Sequence, residues 1–457
     1  MFSRLKQSVA KKIRLGSRKK TAPASPYPLI IPRNEHGLSR SNISEAALKV
    51  LYRLHKAGYE AYLVGGGVRD MLLGREPKDF DVTTNATPEE VKALFRNSIL
   101  IGRRFRLAHI RYGREIVEVA TFRARHDAGE ESEGVMKDGI ILRDNVYGTL
   151  EDDAWRRDFT VNALYYNIAD FSVVDYTGGL EDIKAGRLRM IGDPLIRYRE
   201  DPVRMLRAVR FAAKLGFRID EDNEQAIRQL GGLLADVPAA RLFDESLKLF
   251  LSGHAVESHD LLRHYRLFGH LFPQAEHWLR YEEQHFPRIF LLRALENTDA
   301  RLAAGKTVNP AFLFAALLWE AVRKGAERLQ EQGEKRLPAI QQAGDKAVSQ
   351  QVKNVAFPKR FTLQSREIWE MQERLAITHG QRPLRLIGHP RFRAAYDFLL
   401  LRAESGEQVA ELASWWTEFI DASNERREVM TTRTASAKKG RSRGGRRRPK
   451  APAPVAN

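Results

Sequence analysis

The chain contains no cysteine. Disulfides, thiolate-ligated zinc and thiol nucleophiles are thereby excluded, and the absence fits a reducing cytosol. No window approaches the roughly 18 uninterrupted apolar residues that a membrane span needs. A water-soluble, cytoplasmic protein without integral membrane association is expected. The glycine-rich stretch near residue 66 lacks a Gly-Lys-Ser/Thr ending, so it is not a Walker phosphate loop. No internal repeat is present. Positive charge, by contrast, is abundant: 76 Lys and Arg against 58 Asp and Glu give a net charge of +18. That excess points to a polyanionic partner, nucleic acid first and anionic membrane second. A C-terminal run from Lys438 to Lys450 supplies part of it, but the middle of the chain is also arginine-rich.

With 457 residues, 43% of them hydrophobic, the chain can build roughly two to four domains. The first 20 residues are basic, contain serine and lack acids. They suit an RNA-binding arm or, as a second reading, an organellar transit peptide. Thr21 to Asn34 reads as a linker, making residues 1–40 an arm outside the fold. Ser44 then caps a helix carrying Ala47, Leu48, Leu51 and Leu54 at helical spacing, with Gly58 beyond its end. Ala61–Val64 reads as a buried strand, Gly65-Gly66-Gly67 as a turn, Val68–Leu73 as a helix and Asp79–Thr83 as a second strand. Thr87-Pro88-Glu89-Glu90 is a helix start with a capping box. Strands are expected at Leu107–Tyr112 and Ile116–Phe122, joined at Gly113.

Interleaved strands and helices predict an α/β head with a mixed sheet over residues 41–178. Beyond about residue 180 helical periodicity dominates, as in Pro202–Leu215, Ala239–Leu251, Pro310–Val322 and Ser365–Leu375. A mainly α-helical neck (179–255) and body (256–425) are expected there. The Arg, Lys, Gly and Pro-rich tail (426–457) is expected to be disordered.

Asp79-Phe80-Asp81 is the central chemical feature. Within a strand, alternation would point both carboxylates the same way. Converging carboxylates repel unless a cation sits between them. Magnesium takes carboxylate ligands and is commonly shared with substrate phosphates. An isolated Asp-x-Asp is more often a pair of surface acids. Here, however, a glycine turn between strand and helix precedes it, where backbone N–H groups can cradle a triphosphate.

The segments LVGGGVRDMLLG and KDFDVTT, Arg156 to Leu164 (RRDFTVNAL) and Glu200 to Phe211 (EDPVRMLRAVRF) resemble, in order, the motifs of the class II nucleotidyltransferases. That group contains bacterial poly(A) polymerases and CCA-adding enzymes. The resemblance implies template-independent nucleotide addition to RNA 3′ ends, with ATP and RNA as partners. It implies two Mg²⁺ ions (Mn²⁺ as an alternative) held by Asp79 and Asp81. Asp158 would be the third catalytic acid, with Glu118 a competing candidate. Gly66, Arg69 and Arg157 would contact the triphosphate, and Gly67 and Asn162 would also take part in nucleotide binding. Glu200, Asp201 and Arg204 would face its base, with Arg207 and Arg210 further along the same helix.

Leu100 to Ile110, Asn309–Trp319 and Pro390–Arg402 resemble poly(A) polymerases, so adenylate addition is expected, with CCA addition as the alternative. A non-catalytic RNA-binding protein on the same fold is a third reading, against which the three acids Asp79, Asp81 and Asp158 stand. His259-Asp260 with neighbouring histidines is expected to be a core-plus-surface helix rather than a metal site, and Trp415-Trp416 helix core rather than a base-stacking site. His126 to Gly139 reads as a loop without assignable chemistry.

Overall fold

The computed structural model describes residues 28–102, 106–124, 136–137, 140–141, 146–280 and 288–432. The N-terminal arm before residue 28, the tail after 432, Arg103–Phe105 and most of the His126–Gly139 loop lie outside these. The chain divides into two compact units that meet between Gly192 and Asp193.

The first unit is built on an eight-stranded mixed sheet. Its strands are β1 (Leu29–Ile31), β2 (Ala61–Val64), β3 (Asp81–Thr84), β4 (Ser98–Ile101), β5 (Leu107–Tyr112), β6 (Glu115–Thr121), β9 (Leu164–Asn167) and β10 (Val173–Asp175). The short pair β7 (Met136–Lys137) and β8 (Ile140–Ile141) stands apart. The sheet order is β1-β10-β9-β2-β3-β6-β5-β4, and β3 with β6 is the parallel pair at its centre. Two expectations change here. Leu29–Ile31, read as linker, pairs antiparallel with Val173–Asp175 and closes one sheet edge. The strand expected from Asp79 begins at Asp81, so Asp79 sits in the approach to the strand.

Helix α1 (Glu45–Lys56) starts at Ser44, whose hydroxyl accepts from the Ala47 N–H. Ala46, Ala47, Val50, Leu51 and Leu54 bury its inner face against Leu63, Val82, Ala108, Val117 and Val119 of the sheet. Strand alternation puts the intervening residues on the other face, where Tyr62, Val64 and Tyr165 pack with Phe122 and Val174. Helix α2 (Gly66–Leu72) starts two residues earlier than expected. Helix α3 (Pro88–Leu94) carries the expected capping box between Thr87 and Glu90. Helix α4 (Leu150–Arg156) leads to a 3₁₀ turn at Thr160–Asn162. Helix α5 (Gly179–Ala185) packs on that turn. It therefore belongs to the first unit rather than to the neck.

The second unit is helical. Helices α6 (Pro194–Glu200), α7 (Val203–Leu215), α8 (Glu221–Leu230), α9 (Ala239–Phe250) and α10 (Ala255–His264) open it. Longer helices follow, with Pro310–Glu331, Arg336–Gln351 and Lys359–Leu375 packed on one another. His259 is buried edge-on to Phe268, and Trp416 is buried with its indole N–H on the Leu375 carbonyl at 2.9 Å. Both are core, as expected. Among the described residues no helix is long and apolar enough to cross a membrane.

Candidate active site

Sheet register assembles the site. One row of cross-strand partners reads Tyr165, Val64, Asp81, Glu118, His109 across β9, β2, β3, β6 and β5. Partners in a row share a face, and this is the face opposite α1. Asp81 and Glu118 are thus lateral neighbours although 37 positions apart in sequence (118 minus 81). His109 Nε2 lies 3.0 Å from Glu118 Oε1. Asp79 reaches the same place from the loop before β3.

Burial of the Asp81 carboxyl first, then the negative charges of Glu118 and Asp79 with Arg157 opposing, together push its pKa from 3.8 up to about 6. Glu118 and Asp79 thus act on Asp81 as like charges, and Arg157 offsets part of their repulsion. Among the described residues no three His, Asp or Glu side chains already form a metal cluster. The raised value has a consequence for stability. The metal-free fold binds the Asp81 proton more tightly than the unfolded chain does. Stability therefore falls as pH rises from 3.8 to about 6 and stays reduced above it. Asp81→Asn should raise the melting temperature in chelator at about pH 7.5, and the gain should vanish near pH 4. A melting curve unchanged by the substitution at both values would count against this crowding.

The glycine turn needs glycine for two separate reasons. Gly65 has φ 74° and ψ −133°, a region closed to side chains. At Gly67 a Cβ would come within 3.3 Å of the Asp79 carbonyl oxygen, so its bareness lets the aspartate loop pack down on α2. Arg157 projects to the turn: its Nη1 would be 3.7 Å from a Cβ at Gly65. Asp153, one helical turn earlier, holds the same guanidinium at 2.9 Å, and the Tyr165 hydroxyl receives its Nε–H at 3.0 Å. Asp153 and Tyr165 were not anticipated from sequence; the i, i+4 spacing of Asp153 and Arg157 was the available signal.

Arg69, expected at the phosphates, is instead only 2% exposed. Its Nε and Nη2 donate to Asp70 at 2.9 and 2.6 Å, and its Nη1 to Asn162 Oδ1. Asn162 in turn donates to Asp158 Oδ1 at 3.2 Å, which also accepts from the Phe159 N–H at 2.8 Å. The buried Arg69 and Asn162, with the half-buried Asp158, form a frame under the glycine turn. Glu118, not Asp158, is the acid beside Asp81 in the sheet.

In the second unit, Arg204 Nη1 donates to Glu200 Oε2 at 2.8 Å and to the Arg197 carbonyl at 2.8 Å. Arg197 holds the same Glu200 oxygen at 2.8 Å. Asp201 ends α6, accepts from the Val203 N–H at 3.2 Å and pairs with Arg241 of α9 at 2.7 Å. Arg197 and Arg241 escaped the sequence reading; nothing in the sequence brings residue 241 to Asp201. Arg207 and Arg210 flank Phe211, with Cζ 5.2 and 4.6 Å from its ring centroid. Arg210 also pairs with the buried Glu245 at 3.7 Å.

A mixed sheet with a row of acids beside a glycine turn is the head of a nucleotidyltransferase. Residues 61–189 match the family model "Poly A polymerase head domain". Residues 216–279 match "Probable RNA and SrmB- binding site of polymerase A", and 332–450 match "Polymerase A arginine-rich C-terminus". Poly(A) polymerase I of Salmonella typhi is 48% identical over 460 residues, 99% of each chain. A CCA-adding enzyme of Lactobacillus helveticus is 41% identical over 209 residues, covering 46% of this chain and 50% of that one. The crystal structure of the Bacillus stearothermophilus CCA-adding enzyme in complex with CTP aligns with a TM-score of 0.53 at 26% identity, covering 84% of this chain and 83% of that one. The chain belongs to the poly(A) polymerase I family of polynucleotide adenylyltransferases.

Proposed function

We propose that the chain transfers AMP from ATP to the 3′ hydroxyl of RNA, releasing pyrophosphate, in RNA processing and decay in the cytoplasm. The observation that carries this is the 48% identity to a poly(A) polymerase I over 99% of the chain, where the CCA-adding relative matches less than half of it.

The donor set suits a hard divalent cation. Asp79 and Asp81 present only oxygen, and Mg²⁺ is typically held by one or two carboxylates plus substrate phosphates. Mn²⁺ accepts the same ligands. Asp79 and Asp81 would hold a pair of such ions, with Glu118 as the third acid beside them, and the ions would supply activation of the attacking hydroxyl and charge neutralisation at the leaving pyrophosphate. The N–H groups of Gly66 and Gly67 and the anchored Arg157 bind the triphosphate. Arg69, Asn162 and Asp158 keep that turn in place from beneath.

Base recognition falls to Glu200, Asp201 and Arg204, with Arg207 beside them. The Arg197–Glu200–Arg204 ion-pair set fixes the Arg204 guanidinium plane, so its donors are oriented before a base arrives. RNA is gripped by the helical body to about residue 425 and by the basic tail, through phosphates and without sequence preference.

Incubation with an RNA primer, Mg²⁺ and each nucleoside triphosphate separately tests the reading. Long, ragged adenylate tails are expected, with poor use of CTP. A tRNA lacking its terminus should receive adenylates only. Efficient CTP incorporation followed by one adenylate and arrest would make this a CCA-adding enzyme.

A further inference from the structure

Helix α1 buries one face in the head core and turns a basic face outward. Lys49, Arg53 and Lys56 lie at i, i+4 and i+7 and are all exposed. With Leu48, Tyr52 and Glu45 they form one open face of the helix. Two further cations extend it. Arg40 Nη1 donates to the Tyr52 hydroxyl at 2.7 Å. The Arg40 and Arg33 guanidinium carbons lie 4.6 and 5.4 Å from the Phe171 ring centroid. Arg53 is 5.1 Å from the Phe95 centroid, and Lys49 is 6.0 Å from that of Tyr112. The acid of this face, Glu45, is paired with Lys49 at 2.7 Å.

Within α1 these cations are tolerated locally: Arg53 and Lys56 lie in the last turn, where the helix dipole favours positive charge, and Lys49 has Glu45 one turn before it. Together with the exposed Arg33 and Arg40, however, they outnumber that one acid, a charge surplus that a polyanion would complement. The face lies on the side of the sheet away from Asp81 and Glu118, so the catalytic reaction does not account for it.

We infer that the outer face of α1, with Arg33 and Arg40, is a second RNA-binding surface that holds a single-stranded stretch upstream of the 3′ end. Several basic side chains track phosphates, while Tyr52 and the ring-stacked guanidinium planes offer flat surfaces to bases. An anionic membrane fits less well. Among the described residues the large exposed apolar side chains all lie off α1, so the helix face itself offers none to insert among lipids. The inference rests on RNA being the substrate, and extension of a short primer reports on that reading separately.

The test is the full-length triple variant Lys49→Gln, Arg53→Gln, Lys56→Gln. Glutamine is a good helix former, and all three positions are exposed, so the fold should hold; circular dichroism checks this. Binding of a short oligoadenylate (about 10 nucleotides) and a long one (about 40) is measured across salt concentration. For the long RNA the slope of log affinity against log salt should fall by about 2, since each lost single-strand phosphate contact removes about 0.7. The short oligoadenylate's binding and its extension should match the parent protein. An unchanged slope on long RNA overturns the inference. So does a loss confined to binding of anionic phospholipid vesicles, which assigns the face to a membrane.

A second measurement uses the missing cysteines. Arg53→Cys would carry the chain's sole thiol and accept a photo-crosslinker. Crosslinks to upstream nucleotides of the long RNA support the surface, and their absence under saturating RNA refutes it. A parent protein that cannot extend the short primer would instead sink the polymerase reading itself.

Discussion

Asp79→Ala and Asp81→Ala should each lower AMP incorporation by about three orders of magnitude while the protein stays folded. The loss follows from removing a carboxylate at a place where metal ions supply several kcal/mol of transition-state stabilisation, each 1.4 kcal/mol being tenfold in rate. The fold should survive because neither residue contributes to the head's apolar core. Single-turnover extension of a primer, paired with a thermal melt, separates the two effects. Near-parent rates in a folded variant of either kind would remove the carboxylate pair from the mechanism.

The second large effect distinguishes the two contenders for the third acid. Glu118→Gln should cost about a hundredfold or more in kcat, because its carboxylate adjoins Asp81 on the next strand. Asp158→Asn should cost less than about tenfold. Its oxygen serves as acceptor for the Phe159 N–H and the Asn162 amide, and an asparagine oxygen can accept in the same place. The small loss should appear in KM for ATP, through the Asn162–Arg69 frame under the glycine turn. Primer extension at saturating and limiting ATP measures both quantities. The reverse ranking would hand the third-acid role to Asp158.

The head's architecture was legible because its local signals agree with one another. Ser44 before an apolar helical stripe, the Thr87–Glu90 capping box and the buried run Ala61–Val64 each favour the element that forms. The start of the catalytic strand was not legible. Asp79-Phe80-Asp81 alternates as a strand would, with Phe80 buried, yet the strand starts only at Asp81. Alternation over three residues does not tell a strand from a loop that happens to bury its middle residue. Leu29–Ile31 was missed for a related reason. Three residues beside prolines carry too little pattern to reveal an edge strand whose partner lies more than 140 positions away.

The sequence by itself determined the family, through three ordered motifs, and with it the chemistry on offer: two close acids, a glycine turn and arginine-bearing helices. It also determined where helices begin, since capping depends on residues a few positions apart. Only the tertiary structure decided which of these groups stand where chemistry can use them. It set Glu118 beside Asp81 and buried Arg69 in a frame with Asp70 and Asn162. It anchored Arg157 on Asp153 and Tyr165, and paired Asp201 with Arg241. The physical reason is range. Capping, turn geometry and periodicity act within one or two helical turns, so the chain records them locally. Strand register and ion pairing join residues tens of positions apart, and they exist only once the core has fixed the sheet and packed the helices.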